Sequence, residues 1–375
     1  MTRSIALCLA VFWIAAAART AQDVSFLYLP PGYVAGKVPL GTGNYATALA
    51  ADPDNDNFIY AAGMFAGANR IVHLDLRNGH RTSVFTCPTS VTVSGFAVLA
   101  SDTLFVSDAD HDRLYVLRDD HPKDGDFDDP EEVRELIKPI LTNPGGDWTG
   151  TAVMIVRSRS NRLHLPAGTV LFQSEDGGMT QSEVLAVMNT WTGPSYQPPG
   201  KAFFSGFNYG GGLAMDSVGR LLVASSFYPN TGKVWICDDL NGDAFIGAGE
   251  ANILVRRASS TTETAGLSAL AIDAADRCYV AVGWGFGSTA QTDIQTFSIP
   301  DDPLHRTAPV TTFASLGSPY VSATVFNSTS RSFAPGTANG AVMVLVACDP
   351  MWGNLDYLLT LRPAGPTGVR QWRLY

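Results

Sequence analysis

Along this chain an apolar stretch, a small acidic or polar break and a second apolar stretch ending in small residues recur as a unit. Two copies are close in wording: Leu213–Asp216 followed by Leu221–Ser225, and Leu270–Asp273 followed by Cys278–Val282. Looser copies are Leu49–Asp52 with Ile59–Ala62, and Phe96–Leu99 with Thr103–Asp108. Weaker ones are Ala152–Val156 with Arg162–Leu165, and Ser322–Phe326 with Arg331–Ala334. Repeats spaced by roughly 45 to 60 residues have the length of a four-stranded propeller blade. The six units start near Tyr45, Ser94, Thr149, Gly210, Ala265 and Pro319.

Within a unit, the first apolar run predicts an inner strand on the central channel, and the run after the turn predicts its hairpin partner. Alternation over Arg70–Leu74, Arg113–Leu117 and Lys233–Cys237 predicts third strands. Ala251–Val255 reads as a fourth strand. The pattern predicts an all-β chain, a six-bladed β-propeller of four-stranded blades. Only Asp129–Ile140 has a competing pattern, with room for one or two helical turns. Ring closure is left to either Ser25–Leu29 or Val369–Leu374. The 36 Gly and 22 Pro among 375 residues suit a chain rich in turns.

The first residues stand outside this pattern. Arg3, the apolar run Ile5–Ala17 and the small residues up to Ala21 have the make-up of a secretory signal. Residues 1–21 are therefore expected to be a cleaved signal peptide, and 22–375 a single propeller domain that is secreted or periplasmic. No later stretch is long and apolar enough for a membrane anchor. With 35 acidic against 25 basic side chains, the net charge of −10 excludes a nucleic-acid partner, whose phosphates it would repel.

Loss of the signal leaves Cys87, Cys237, Cys278 and Cys348. Four cysteines allow three disulfide pairings, and isolated buried thiols suit a core of this size equally well.

Acidity concentrates in two loops. Asp239, Asn241, Asp243 and Glu250 occupy positions 1, 3, 5 and 12 of one, with the Phe245 carbonyl at position 7. That is the spacing by which an EF-hand loop wraps calcium with hard oxygen ligands. Ala244 departs from it, standing where the sharp turn wants Gly. In the equivalent place of the second unit, Asp124, Asp126 and Asp128 alternate ahead of Glu131, Glu132 and Glu135, and Glu132 is well placed to close a site. A solvated acidic turn is the alternative. Either calcium would be structural, since no nucleophile or base adjoins it in sequence.

Gly212–Ala224 and Leu270–Asp273 resemble the repeat of NHL-type propellers and of the related gluconolactonase-like family. The resemblance implies a six-bladed propeller and admits both lactone or ester hydrolases, with a divalent cation in the channel, and proteins that only bind. The enzymes' inner-strand Gly-Glu-Gly-Pro phrase is replaced here by Gly41–Ala48, which has no Glu. Asn44, Asp108, Asp147 and Asn208 remain as substitute ligands under that reading.

No GxSxG, HExxH or phosphate-binding glycine loop is present. His73 and His164 fall in expected strands, and His111 alone sits in an acidic loop beside Arg113. On the face where inner strands begin, the units place Tyr45, Trp148, Tyr209, Phe227, Tyr228, Trp284, Phe286 and Tyr320. Aromatic side chains combine apolar area with a polar edge, and so suit a carbohydrate or a peptide-like segment. The expected function is a calcium-stabilised binding or scaffold module for a small-molecule, glycan or protein ligand. An extracellular metal-dependent hydrolase of lactones or related esters is the alternative.

Overall fold

The computed structural model of the protein describes residues 23–88, 93–108, 113–120, 123–137, 148–175, 182–207, 210–227, 230–256, 266–283, 291–318, 321–326, 342–348 and 353–364. The chain begins with β1 (Phe26–Tyr28) and β2 (Tyr33–Pro39), and then builds one antiparallel sheet after another. Blade 1 is β3 (Tyr45–Ala51), β4 (Phe58–Phe65), β5 (Ala68–Asp75) and β6 (Arg81–Thr86). Blade 2 is β7 (Val93–Ala100), β8 (Thr103–Asp108), β9 (Arg113–Arg118) and β10 (Val133–Ile137). In blade 3, β11 (Trp148–Ile155), β12 (Val170–Glu175) and β13 (Ser182–Met188) are followed by a split outer strand, β14 (Ser195–Tyr196) and β15 (Phe204–Phe207), both on β13. Blade 4 is β16 (Gly210–Met215), β17 (Leu221–Phe227), β18 (Asn230–Cys237) and β19 (Ala251–Arg256). Blade 5 is β20 (Gly266–Ile272), β21 (Arg277–Gly283), β22 (Thr292–Ser298) and β23 (Thr311–Leu316), with β1 as a fifth strand. Blade 6 is β24 (Val321–Phe326), β25 (Met343–Ala347), β26 (Tyr357–Pro363) and, from the other end of the chain, β2.

The inner strands touch in the cyclic order β3, β7, β11, β16, β20, β24 and back to β3. The protein is thus the six-bladed propeller that the repeat predicts. Each of the six buried apolar clusters lies between two neighbouring blades, because alternation along a strand sends successive side chains toward opposite neighbours. Between blades 5 and 6, for example, Tyr279 packs edge-on against Phe313 and Phe326.

Every outer strand is preceded by a segment that leans on the outer strand of the blade before it. In blade 1, Gly79 lies so close to the Pro39 carbonyl of β2 that a Cβ would stand 2.6 Å from it. In blade 2, Phe127 N–H donates to Val84 O of β6 at 2.7 Å. In blade 3, Trp191 and Tyr196 pack beside Leu136 of β10, and Arg134 donates to Trp191 O. In blade 4, Ile246 N–H donates to Phe203 O, next to β15, at 2.9 Å; in blade 5, Ala308 N–H donates to Leu254 O of β19 at 2.7 Å. In blade 6 the segment ahead of the outer strand is β1 itself, which pairs with β23. These contacts occupy edges that would otherwise stand open to pairing with another chain.

Four expectations need correction or completion. Arg162–Leu165 is a turn rather than a strand: the Asn161 side chain bonds both Leu163 N–H and Leu165 O, and His164 sits at φ 52°. The second strand of blade 3 is β12. In blade 6 it is β25, and Arg331–Ala334 lies outside the described residues. The ring is closed by Tyr33–Pro39, neither of the two segments expected, while Phe26–Tyr28 joins blade 5 and Val369–Leu374 lies outside the described residues. Of Asp129–Ile140, the described residues, up to Ile137, form one 3-10 turn, Pro130–Glu132, and then β10.

Candidate functional site

The channel wall comes from β3, β7, β11, β16, β20 and β24, and none of these strands contains Asp, Glu, His, Lys or Arg. Tyr45 opens β3 half-buried, and burial raises the pKa of its hydroxyl. Trp148 opens β11 and Phe227 closes β17, at the same end of the blades as Tyr45. Tyr209, Tyr228, Trp284, Phe286 and Tyr320 lie outside the described residues, as do His111, Asp147 and Asn208. Asn44 is held as a loop brace: its Nδ2 donates to Leu40 O at 2.8 Å and Gly41 O at 3.1 Å, and its Oδ1 accepts from Ala66 N–H at 2.8 Å. Asp108 is fully buried at the end of β8.

The Asp239 loop stands at the opposite end of the blades, between β18 and β19. Asp239 is buried, with Oδ1 accepting from Gly242 N–H and Oδ2 from Ala244 N–H, both at 2.8 Å. Asn241 Oδ1 accepts from Asp243 N–H at 2.9 Å. Glu250 Oε1 accepts from Leu240 and Asn241 N–H at 2.9 and 3.1 Å, and its Oε2 from Gly247 N–H at 2.8 Å. Ala244 takes φ 57°, the left-handed conformation that the sixth position of such a loop demands and that Gly adopts more readily.

Blade 3 supplies the side chains that meet these carboxylates. His164 Nδ1 lies 3.0 Å from Asp239 Oδ2, and Arg162 makes a two-pronged bond to Asp238 at 2.8 Å on each prong. The turn of blade 3 is thereby clamped to the loop of blade 4. Sequence reasoning singled out neither Arg162 nor Asp238, whose partners lie 76 residues apart. It set His164 aside as a strand residue, for the same reason.

The loop of blade 2 repeats the scheme around Asp119, which had no assigned role in the sequence. Asp119 is buried and accepts from Asp124 N–H at 3.1 Å and Gly125 N–H at 3.0 Å. Glu132, also buried, accepts from Asp120 N–H at 3.0 Å, as Glu250 does from Leu240. Asp126 and Asp128 N–H donate to Asp124 and Asp126 Oδ1. The Asp128 carboxylate turns to blade 1, accepting from Thr86 N–H at 2.7 Å. Asp124, Asp126 and Asp128 therefore step along the loop rather than converging on one point. Both loops have the hard oxygen donors that calcium takes, but those oxygens are largely turned onto amides. Among the described residues no three His, Cys, Asp or Glu side chains stand together as a metal cage.

Cys87, Cys237, Cys278 and Cys348 are free thiols. Burial, with Asp108 and Asp128 nearby, pushes the Cys87 thiol up to about 12. Burial likewise raises Cys237 and Cys278, so that none of these three is a nucleophile near neutral pH.

The sequence matches no protein-family model and no curated protein sequence. Solved structures do match in shape. An aldose sugar dehydrogenase from Streptomyces coelicolor, in its PQQ-bound form, aligns over 92% of this chain and 99% of its own with a TM-score of 0.57 and 15% identity. A luciferin-regenerating enzyme aligns over 91% and 98%, with a TM-score of 0.55 and 12% identity. Regucalcin from Agrobacterium tumefaciens, a calcium-binding protein, aligns over 88% and 95%, with a TM-score of 0.53 and 10% identity. At such identities the likeness is one of fold alone.

Proposed function

We propose that this chain is an exported propeller working as a binding or scaffold module, with a carbohydrate or peptide-like ligand at the channel mouth where the inner strands begin. The observation that carries this reading is the make-up of the channel wall: six inner strands without one ionisable carboxylate, imidazole or cationic group. A hydrolase using a channel metal needs such groups as ligands and as a base. The buried carboxylates at the opposite end hold loops, which suits a scaffold.

Calcium belongs to this proposal as a structural ion of the Asp239 loop. Asp239, Asn241, Asp243, the Phe245 carbonyl and Glu250 would hold it, with Glu250 giving up amides to do so. The ion would supply rigidity to the hairpin between β18 and β19, and no chemistry. Metal analysis of the purified protein, with melting curves in calcium and in EDTA, tests it. Bound calcium and a lower melting temperature in EDTA are expected, with the shift lost in Asp239→Ala. Arrays of glycans and peptides test the mouth, with Tyr45→Ala as the control. Turnover of a lactone or ester by the metal-loaded protein would replace the binding reading with the hydrolase.

A further inference from the structure

The outer edge of β23 is covered by a strand, β1, and a strand brings a second edge of its own. β1 stands last in its sheet and pairs on one side only. Its inner side is seated: Phe26 and, just after the strand, Leu29 pack with Tyr357 against the apolar cluster between blades 5 and 6. Its outer side is bare apolar surface, with Leu27 59% and Tyr28 46% exposed. They are two of six large apolar side chains that stand exposed among the described residues, and a third, Val34, follows on β2. An apolar strand with a free edge accepts another strand, because main-chain pairing and apolar burial act together there.

The course of the chain selects which strand. Val24 N–H meets the Tyr357 hydroxyl at the start of β26, and Ala364 N–H donates to Gly32 O at 2.7 Å beyond its end. β1 and β26 therefore run the same way, and a chain that reverses after Ala364 meets β1 antiparallel. Tyr28 is four residues from Gly32, a span of about 14 Å at most. Residues 365–375 can cover about 36 Å, enough to pass along the whole of β1. They open with Gly365-Pro366-Thr367-Gly368, which suits a reversal, and continue as Val369-Arg370-Gln371-Trp372-Arg373-Leu374-Tyr375. Alternation in an extended chain puts Trp372 and Leu374 on one face. The segment holds two arginines and no acid, in a chain of net charge −10.

We propose that residues 369–375 add to the free edge of β1 as an antiparallel strand and lay Trp372 and Leu374 over Leu27 and Tyr28. This pairing closes the rim between blades 5 and 6, and it does not depend on what binds at the channel mouth.

The test is disulfide trapping in the full chain, with Cys348→Ser to remove the one cysteine that is not fully buried. Leu27→Cys with Trp372→Cys, or with Leu374→Cys, is expected to cross-link within one chain under mild oxidation. Leu240→Cys with either partner is expected not to, because Leu240, though 56% exposed, belongs to the Asp239 loop at the opposite end of the blades. Amide exchange is the second measurement: Trp372→Ser with Leu374→Ser should speed exchange in β1 about tenfold and leave β20 to β22 unchanged. Cross-links that join two chains, in a protein that runs as a dimer, would give the edge to a second copy and overturn the proposal. Cross-linking no greater than that of the Leu240→Cys pairs overturns it too, as does β1 exchange that the serine variants leave as it was.

Discussion

Asp52, Asp216 and Asp273 close the repeated phrase in blades 1, 4 and 5, and each spends its carboxylate on the turn that follows. Asp52 accepts from Asp54 and Asn55 N–H, Asp216 from Arg220 N–H and Nε, and Asp273 from Ala275 and Arg277 N–H. The repeat was legible because the same turn needs the same oxygen each time. Asp216 is fully buried at its side chain and Arg220 mostly so, so that Asp216→Ala leaves a shielded guanidinium without its partner. Urea unfolding should show a loss of about 3 kcal/mol. Asp75 makes a comparable turn with Arg77, whose hydrogen bonds hold its carboxyl at about 2. A folded-state pKa below the unfolded value of about 3.9 means stability that is complete above that value and is lost as pH falls toward 2. Asp75→Asn should therefore lack the component of acid unfolding that the wild type shows in this window, as followed by circular dichroism against pH.

At the scale of elements, the loops that looked most like metal sites in the sequence are also latches between blades. Phe127 and Ile246 are the buried residues by which the two acidic loops seat on the neighbouring blade, and each donates its amide to that blade's outer edge. Phe127→Ala should cost about 3 kcal/mol in urea unfolding. Asp124→Ala, on an exposed carboxylate, should cost less than about 0.5 kcal/mol in EDTA. The reverse order would return the stabilising role to the acidic side chains. Strand positions were legible wherever alternation continued over a hairpin, as in β4, β5, β17 and β18. They failed at Arg162–Leu165, where buried Leu163 and Leu165 flank His164 as a strand would while the backbone is turning. What fixes that turn is a clamp to Asp238 and Asp239, and a partner so far along the chain leaves no local signal.

For the whole molecule, periodicity revealed how many blades there are, but not how the ring is fastened. A short apolar segment near either end has the composition to pair with β26, and only the course of the chain from β1 into β2 selects Tyr33–Pro39. The seven-residue register from Tyr33 opposite Pro363 to Pro39 opposite Tyr357 then completes blade 6. A chain beginning at Leu40 should lose its single cooperative unfolding transition, since β26 and β23 would both present bare edges. A peptide spanning residues 23–39, added in trans, should restore the transition by strand addition. Restoration by the peptide is the outcome that a merely damaged core would not give.

Fastening by the N-terminal strand also sets an order of events during synthesis. The amide of Val24 and the Tyr357 hydroxyl that it meets are 333 residues apart, so the ribosome makes the clasp long before its catch. At about 5–20 residues per second, the strand waits roughly 15 to 65 s for its partner, with its edge unsatisfied throughout. A product that stops short of Tyr357 has every blade-forming signal up to that point and still no means of closing. The ring thus reports its own completeness: only a chain translated past Tyr357–Pro363 can shelter Tyr33–Pro39 from proteases and chaperones.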